Sequence, residues 1–271
     1  MDRRMKKRLA AIEKELRVVA KKEAKLCRSA VHAKPGAFKT ALEDKLPEKV
    51  YTGLHSAFCK GFGLVFSKGR IVIEKSYNKE TVLENHSIRN FAVHVKGNRR
   101  ELKKMHKSAR KADALNLVVT TAEGIGLGAL GIGMPDIVLF LSTLLKGIYE
   151  TALNYGFDYE DEREQLLILK MMAASLSTGE DFLEYNADVD AILNIPDGIV
   201  DEEELQEQMQ ETAGVFAVDM LLMKFIQGLP VVGIIGGAAN PVYYRKVLKY
   251  VQLKYRKRYL LGLQAMPVAD E

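Results

Sequence analysis

The sequence predicts an all-α fold, a multi-helix bundle interrupted by two glycine-rich apolar loops or helical hairpins. Three observations predict it. Apolar residues recur at spacings of three and four along most of the chain, the period of one helix face. Capping residues stand where these stripes begin, and glycine or proline where they end. No series of alternating strands, internal repeat or low-complexity tract competes with them. At 271 residues, 48% hydrophobic and 28% charged, the chain is long and apolar enough to bury a substantial core.

The elements follow in order. Met5, Leu9, Ile12, Leu16 and Val19, continued by Leu26 and Ala30, form a narrow apolar stripe on a basic helix suited to a partner helix or an interface. Lys34-Pro35-Gly36 ends it and divides the chain into a basic N-terminal helix, 1–34, and a helical domain, 35–271. A second helix covers Pro47 to Phe66. "GRIVIEKSY" is ambiguous, because Ile71 and Ile73 alternate with Val72 as in a strand while the context is helical. Asn78 is placed to cap a helix carrying Val82, Ile88, Phe91 and Val95.

A basic helix from Arg99 to about Ala122 sets Leu102, Met105, Ala109 and Ala112 against its lysines and arginines. Pro135 and Asp136 suit a helix start, since proline has no N–H to leave unpaired and a carboxylate favours the positive end. That helix stops at Gly156. Asp161 and Glu164 form a capping-box pattern before "LLILKMMAASL", apolar nearly all round and so destined for the middle of a bundle. Gly179 closes it. Asp201 and Glu204 repeat the pattern for a helix reaching about Phe225, and a last helix runs from Pro241 to near Gly262.

The net charge of +5 is unevenly spread. Before Pro35 there are 12 Lys/Arg against 4 Asp/Glu, whereas Phe157 to Thr212 holds 17 carboxylates against Arg163 and Lys170. The basic runs "KGNRRELKKMHKSARK" and "YYRKVLKYVQLKYRKRYL" either dock on that acidic segment or face an anionic partner. Cys27 and Cys59 form no paired framework and suit a reducing, cytosolic compartment. The basic start lacks the apolar run of a secretory signal.

"EGIGLGALGIGMPD", Glu123 to Asp136, holds the spacing G-x-G-x-x-G at Gly126, Gly128 and Gly131. A dinucleotide site would need a helix opening at its third glycine and an acid ending a second strand about twenty residues on. Gly133 and Pro135 break such a helix, and Glu150 lies inside the next one. Gly124 and Gly128 instead make G-x-x-x-G, which lets another backbone or a lipid surface approach closely. "FIQGLPVVGIIGGAANPVYY" offers a second such stretch, uncharged between Lys224 and Arg245. The apolar contact residues expected of the pair are Gly124, Ile125, Gly126, Leu127, Gly128, Leu130, Gly131, Ile132 and Gly133, with Val231, Val232, Ile234 and Ile235. Their basic flanks are Lys103, Lys104, Lys107, Arg110, Arg245, Lys246, Arg256, Lys257 and Arg258, suited to anionic headgroups. Tyr243, Tyr244, Tyr250, Tyr255 and Tyr259 either sit at headgroup level or pack at the bundle rim.

"EGIGLGALGIGMPDIVLFLSTLLKGIYETALNYGFD" resembles the signature region of the EcsC family, bacterial proteins named after the third product of an operon that also encodes an ABC-transporter ATPase and its membrane subunit. The likeness runs from about Leu42 to Leu261 and rests on the glycine stretch ending at Pro135-Asp136, the Tyr155-Gly156-Phe157-Asp158 turn and the second glycine-rich stretch. It implies a helical domain over 35–271 and a link to membrane transport, and it implies no catalytic mechanism.

Chemistry-bearing motifs are scarce. His32, His55, His86, His94 and His106 show no metal-ligand spacing, and no nucleophile motif occurs, so neither a metal nor a cofactor is expected. Glu123, Asp136 and Tyr155 are the candidates for a catalytic pocket beneath the glycine loop, as in a hydrolase. The favoured expectation is a non-catalytic cytoplasmic accessory or regulatory protein, peripheral on the inner face of the cell membrane and linked to a membrane complex such as an ABC transporter. The alternatives are that hydrolase-type enzyme and a soluble helical interaction protein. The expected partner is an anionic membrane surface or a membrane protein. Nucleic acid is disfavoured for want of a binding module, and homo-oligomerisation is left open.

Overall fold

The computed structural model describes residues 3–32, 48–119, 135–194, 198–226 and 240–265. Around one apolar helix, α6 (Pro135–Tyr155), the rest of the bundle is arranged: α1 (Arg3–Val31), α2 (Glu48–Leu64), a π-helical turn (Val65–Gly69), α3 (Arg70–Lys75), α4 (Lys79–Lys96), α5 (Arg99–Val119), α7 (Glu162–Leu176), α8 (Gly179–Asn194), α9 (Glu202–Ile226) and α10 (Asn240–Ala265). No strand occurs among the described residues. The fold is all-α.

Helix α6 packs against α2, α3, α4, α5 and α10. Its Leu141, Leu144, Leu145, Ile148 and Ala152 are completely buried. Among the described residues, Ile137–Tyr155 is the one segment long and apolar enough to cross a membrane, yet 83% of its apolar window is buried within the bundle. Neighbouring helices occupy the faces that lipid would need. Gly61 lets α2 come close, since a β-carbon there would stand 3.0 Å from Ile137 Cγ2. Phe216 of α9 joins Phe58 and Phe62 of α2 and Phe140 of α6, with ring centroids 5.5, 5.8 and 6.1 Å apart. Such offset and edge contacts add to the area buried.

Helix α7 is the second interior element, packed on α8, α9 and α10. From Leu166 to Leu176 every residue is buried except Lys170, which reaches Asp188 at 3.1 Å. The predicted stops and starts have their reasons in the backbone. Asn78 accepts from Thr81 N–H at 2.9 Å, and Asp201 from Glu204 N–H at 2.8 Å. Gly156 takes φ +84°, and the Phe157 and Gly156 N–H groups return to the carbonyls of Ala152 and Leu153. That pair of bonds satisfies carbonyls the helix end leaves open.

Three local expectations change. "GRIVIEKSY" is helical: Ile73 is buried while Ile71 is exposed, the opposite of a strand that sets both on one face. Helix α7 ends at Leu176, and Gly179, at φ +66°, opens α8 instead of closing α7. Asp161 alone caps α7, accepting from Arg163 and Glu164 N–H. The Glu164 side chain turns inward, where it accepts from Tyr255 Oη at 2.6 Å and pairs with Arg258.

Candidate functional site

The two glycine-rich stretches, with Glu123, Gly124–Gly133 and Val231–Ile235, lie outside the described residues. Asp136 stands in the first turn of α6 with its side chain outside them too. The helices that flank these stretches in sequence are α5, α6, α9 and α10.

The basic tail turns inward. Arg256 is buried and pairs with Glu15 of α1, which Arg99 of α5 also engages. Lys257 and Lys254 share Asp190 at 3.0 and 2.7 Å and Glu23 at 3.2 and 3.0 Å. Arg258 pairs with Glu164 and lies 4.0 Å from the centroid of the Phe157 ring. Lys246 donates to the Leu176 carbonyl at 3.2 Å and faces Asp219 at 3.5 Å. Arg256, Lys257 and Arg258 thus hold α10 against α1, α7 and α8, where an apolar interior demands paired charges. Of the flanking cations, Lys103, Lys104, Lys107, Arg110 and Arg245 remain exposed, with Lys104 joined to Glu101 at 3.0 Å.

The tail tyrosines do not reach a headgroup layer. Tyr243, Tyr244, Tyr250, Tyr255 and Tyr259 are all buried. Tyr250 donates to Asn186 and Tyr259 to Asn90, at 2.9 and 2.8 Å. Burial beside Asp190 and Glu23 pushes the Tyr250 phenol well above its ordinary value.

An apolar surface appears on a helix whose apolar residues the sequence locates. On α4, Ile88 is 68% and Phe91 69% exposed, and Val95 42%. Spacings of three and four put the three side chains on one face. The stripe occupies the C-terminal half of the helix; towards its start the exposed residues include Glu80 and Glu84. At its other end Gly97, φ +52°, turns the chain into α5, so exposed Lys96, Arg99, Arg100 and Lys103 follow directly. Greasy side chains lie beside a basic corner.

On a separate face, α1, α2, α5, α8, α9 and α10 and the end of α7 line a groove of about 1860 Å³. Lys22 and Lys25 of α1, His106 and Arg110 of α5, and Lys249 of α10 are among its cationic and imidazole lining. Asp181 of α8 and Glu207 and Glu211 of α9 line it too, and burial, then Glu211, raises the Tyr185 phenol. His106 Nδ1 stands 2.9 Å from the Tyr155 hydroxyl. Tyr155 is thus the one catalytic candidate whose surroundings are described, and its hydroxyl meets a histidine. Among the described residues no group of three or more His, Cys, Asp or Glu could hold a metal ion.

Comparison with known proteins is decisive on family alone. The model of the EcsC protein family matches residues 10–260. The chain belongs to the EcsC family. It is also 27% identical over 143 residues to "Protein EcsC" of Bacillus subtilis (strain 168), an alignment covering 52% of each chain. The chain therefore spans about half the length of that curated relative. No solved structure matches.

The EcsC match starts inside α1, a helix that packs on α5, α8 and α10. In this EcsC-family chain, His106 carries a pH signature. Burial, then Arg256, Lys22 and Arg110, lower its pKa to about 3. The unfolded imidazole binds a proton below about 6.5 that the folded one refuses. Its contribution is intact above that value and is lost as pH falls from about 6.5 towards 3; His94, lowered by burial and Arg8, acts in the same sense. Thermal unfolding between pH 7 and 5, above most carboxylate titrations, should show Tm falling with pH, and His106→Gln should flatten that fall. An unchanged slope in the variant would refute the assignment.

Proposed function

We propose that this EcsC-family protein is a non-catalytic accessory or regulatory protein that rests peripherally on the inner, anionic face of a membrane, beside a membrane complex of the ABC-transporter kind. The observation that carries this reading is the α4 stripe of Ile88, Phe91 and Val95 with the basic corner that follows it. A soluble surface rarely sets three large apolar side chains together unless something covers them. Insertion of a Phe or Ile side chain into an apolar layer is worth about 1.5–3 kcal/mol when complete. Within the corner Arg99 is held by Glu15 and Lys96 stands 3.8 Å from Glu101, so Arg100 and Lys103 are the cations that each add about 1 kcal/mol at an anionic surface. The sum suits reversible, charge-dependent association.

Flotation with vesicles of phosphatidylcholine, with and without phosphatidylglycerol, tests the reading. The full chain should rise with anionic vesicles and much less with neutral ones. Phe91→Ser should weaken anionic-vesicle binding about tenfold, since one apolar anchor is removed, and leave Tm unchanged because the ring is exposed. A chain that stays at the bottom with both vesicle types ends the proposal. The hydrolase alternative has less behind it, because the Tyr155 hydroxyl meets His106, an imidazole whose lowered pKa makes it a weak base.

A further inference from the structure

We propose that the groove between α1, α5, α8, α9 and α10 is a binding site for a single phosphate-headed amphiphile, with its head at Lys22, Arg110 and Lys249 and its chain along the apolar wall. The inference goes beyond membrane docking and does not depend on it, since α4 contributes nothing to the groove.

The head site is a meeting of cations from three helices. Lys22 is lowered by burial and by repulsion from Arg256, Arg110 and Lys249. Arg110 and Lys22 act likewise on His106. These side chains are therefore close enough to oppose one another's charge. The carboxylate that acts favourably on Lys22 is Glu15, and Arg99 and Arg256 already engage it. Lys22, Arg110 and Lys249 have no ion pair among the described residues. A dianionic phosphate relieves such repulsion and accepts several charge-assisted hydrogen bonds at once. A monovalent carboxylate would relieve less.

The wall has the chemistry of a chain site. Leu26, Phe182, Val215, Leu222, Leu248 and Leu253 line the same groove, with Leu26 and Val215 the more accessible of them. At about 1860 Å³ the space exceeds the roughly 300–1,000 Å³ of ordinary ligand pockets, which suits a long molecule.

The test titrates the purified full chain, by calorimetry below the critical micelle concentration, with dodecyl phosphate, inorganic phosphate and dodecyl maltoside. Dodecyl phosphate should bind saturably at one site, at least tenfold tighter than either of the others. Lys22→Ala and Lys249→Ala, both at exposed positions, should each weaken it several-fold without changing Tm. Leu26→Ser should weaken dodecyl phosphate and leave inorganic phosphate unaffected. Inorganic phosphate binding as tightly as dodecyl phosphate would make the site one for free phosphate and overturn the chain site. Equal binding of dodecyl maltoside, or indifference to both lysine variants, would overturn the head site. Phe91→Ser should bind dodecyl phosphate as the parent does, so loss of membrane docking and loss of the groove ligand read out separately.

Discussion

Glu15→Ala should lower the free energy of unfolding by about 3–5 kcal/mol, the loss expected when one partner of a buried ion pair is removed. The Glu15 side chain is 1% exposed and answers Arg256, itself 6% exposed, together with Arg99. Without the carboxylate, Arg256 stays buried beside Lys22, whose charge it already opposes. Urea unfolding followed by circular dichroism measures the effect. Arg256→Met in the same chain should recover part of the loss, because an apolar side chain of similar length needs no counter-charge there. A loss below about 1 kcal/mol in the single variant would show that solvent reaches Arg256 and that α10 is not pinned as described.

Gly156→Ala should cost about 2–4 kcal/mol, from two separable sources. A left-handed backbone costs a residue with a β-carbon about 1–2 kcal/mol, and Gly156 sits at φ +84°. The new methyl would also stand 2.5 Å from His86 Nε2, and forced overpacking typically costs about 1–3 kcal/mol. His86 cannot swing away freely, because its Nδ1 is 3.0 Å from the Asn154 carbonyl. An asparagine in place of this glycine would ease the backbone part and keep the clash, so Gly156→Asn should remain destabilised. If His86→Ala fails to restore any stability to Gly156→Ala, the steric half of the account is wrong.

The helices were legible because stripes, caps and terminal glycines act locally, as Asn78, Asp161, Asp201 and Gly156 show. The charge segregation was legible too, but its destination was not. Nothing local in "YRKRYL" distinguishes Arg256, which finds Glu15 across 241 residues, from a cation facing lipid. Glu164 looked like half of a capping box; it points inward because Tyr255 and Arg258, three residues apart on α10, meet it there. The open face of helix α4 was hidden for a related reason. Periodicity identifies which side chains share a face, and it does not say whether a neighbour arrives to cover that face. Ile88, Phe91 and Val95 share one and stay exposed, although α5 and α6 pack on this helix. The groove escaped notice because its cations come one by one from Lys22, Arg110 and Lys249, on three distant helices.

The embrace of α1 by α10 sets a clock on biosynthesis. Glu15 leaves the ribosome 241 residues ahead of Arg256, roughly 10–50 s at ordinary rates of translation. During that interval α1 can meet α5 and α8, with Glu15 engaged by Arg99, but its contacts with α10 are still missing. Closure of the bundle is a late event, and a nascent chain halted before α10 should leave α1 open to proteases and chaperones.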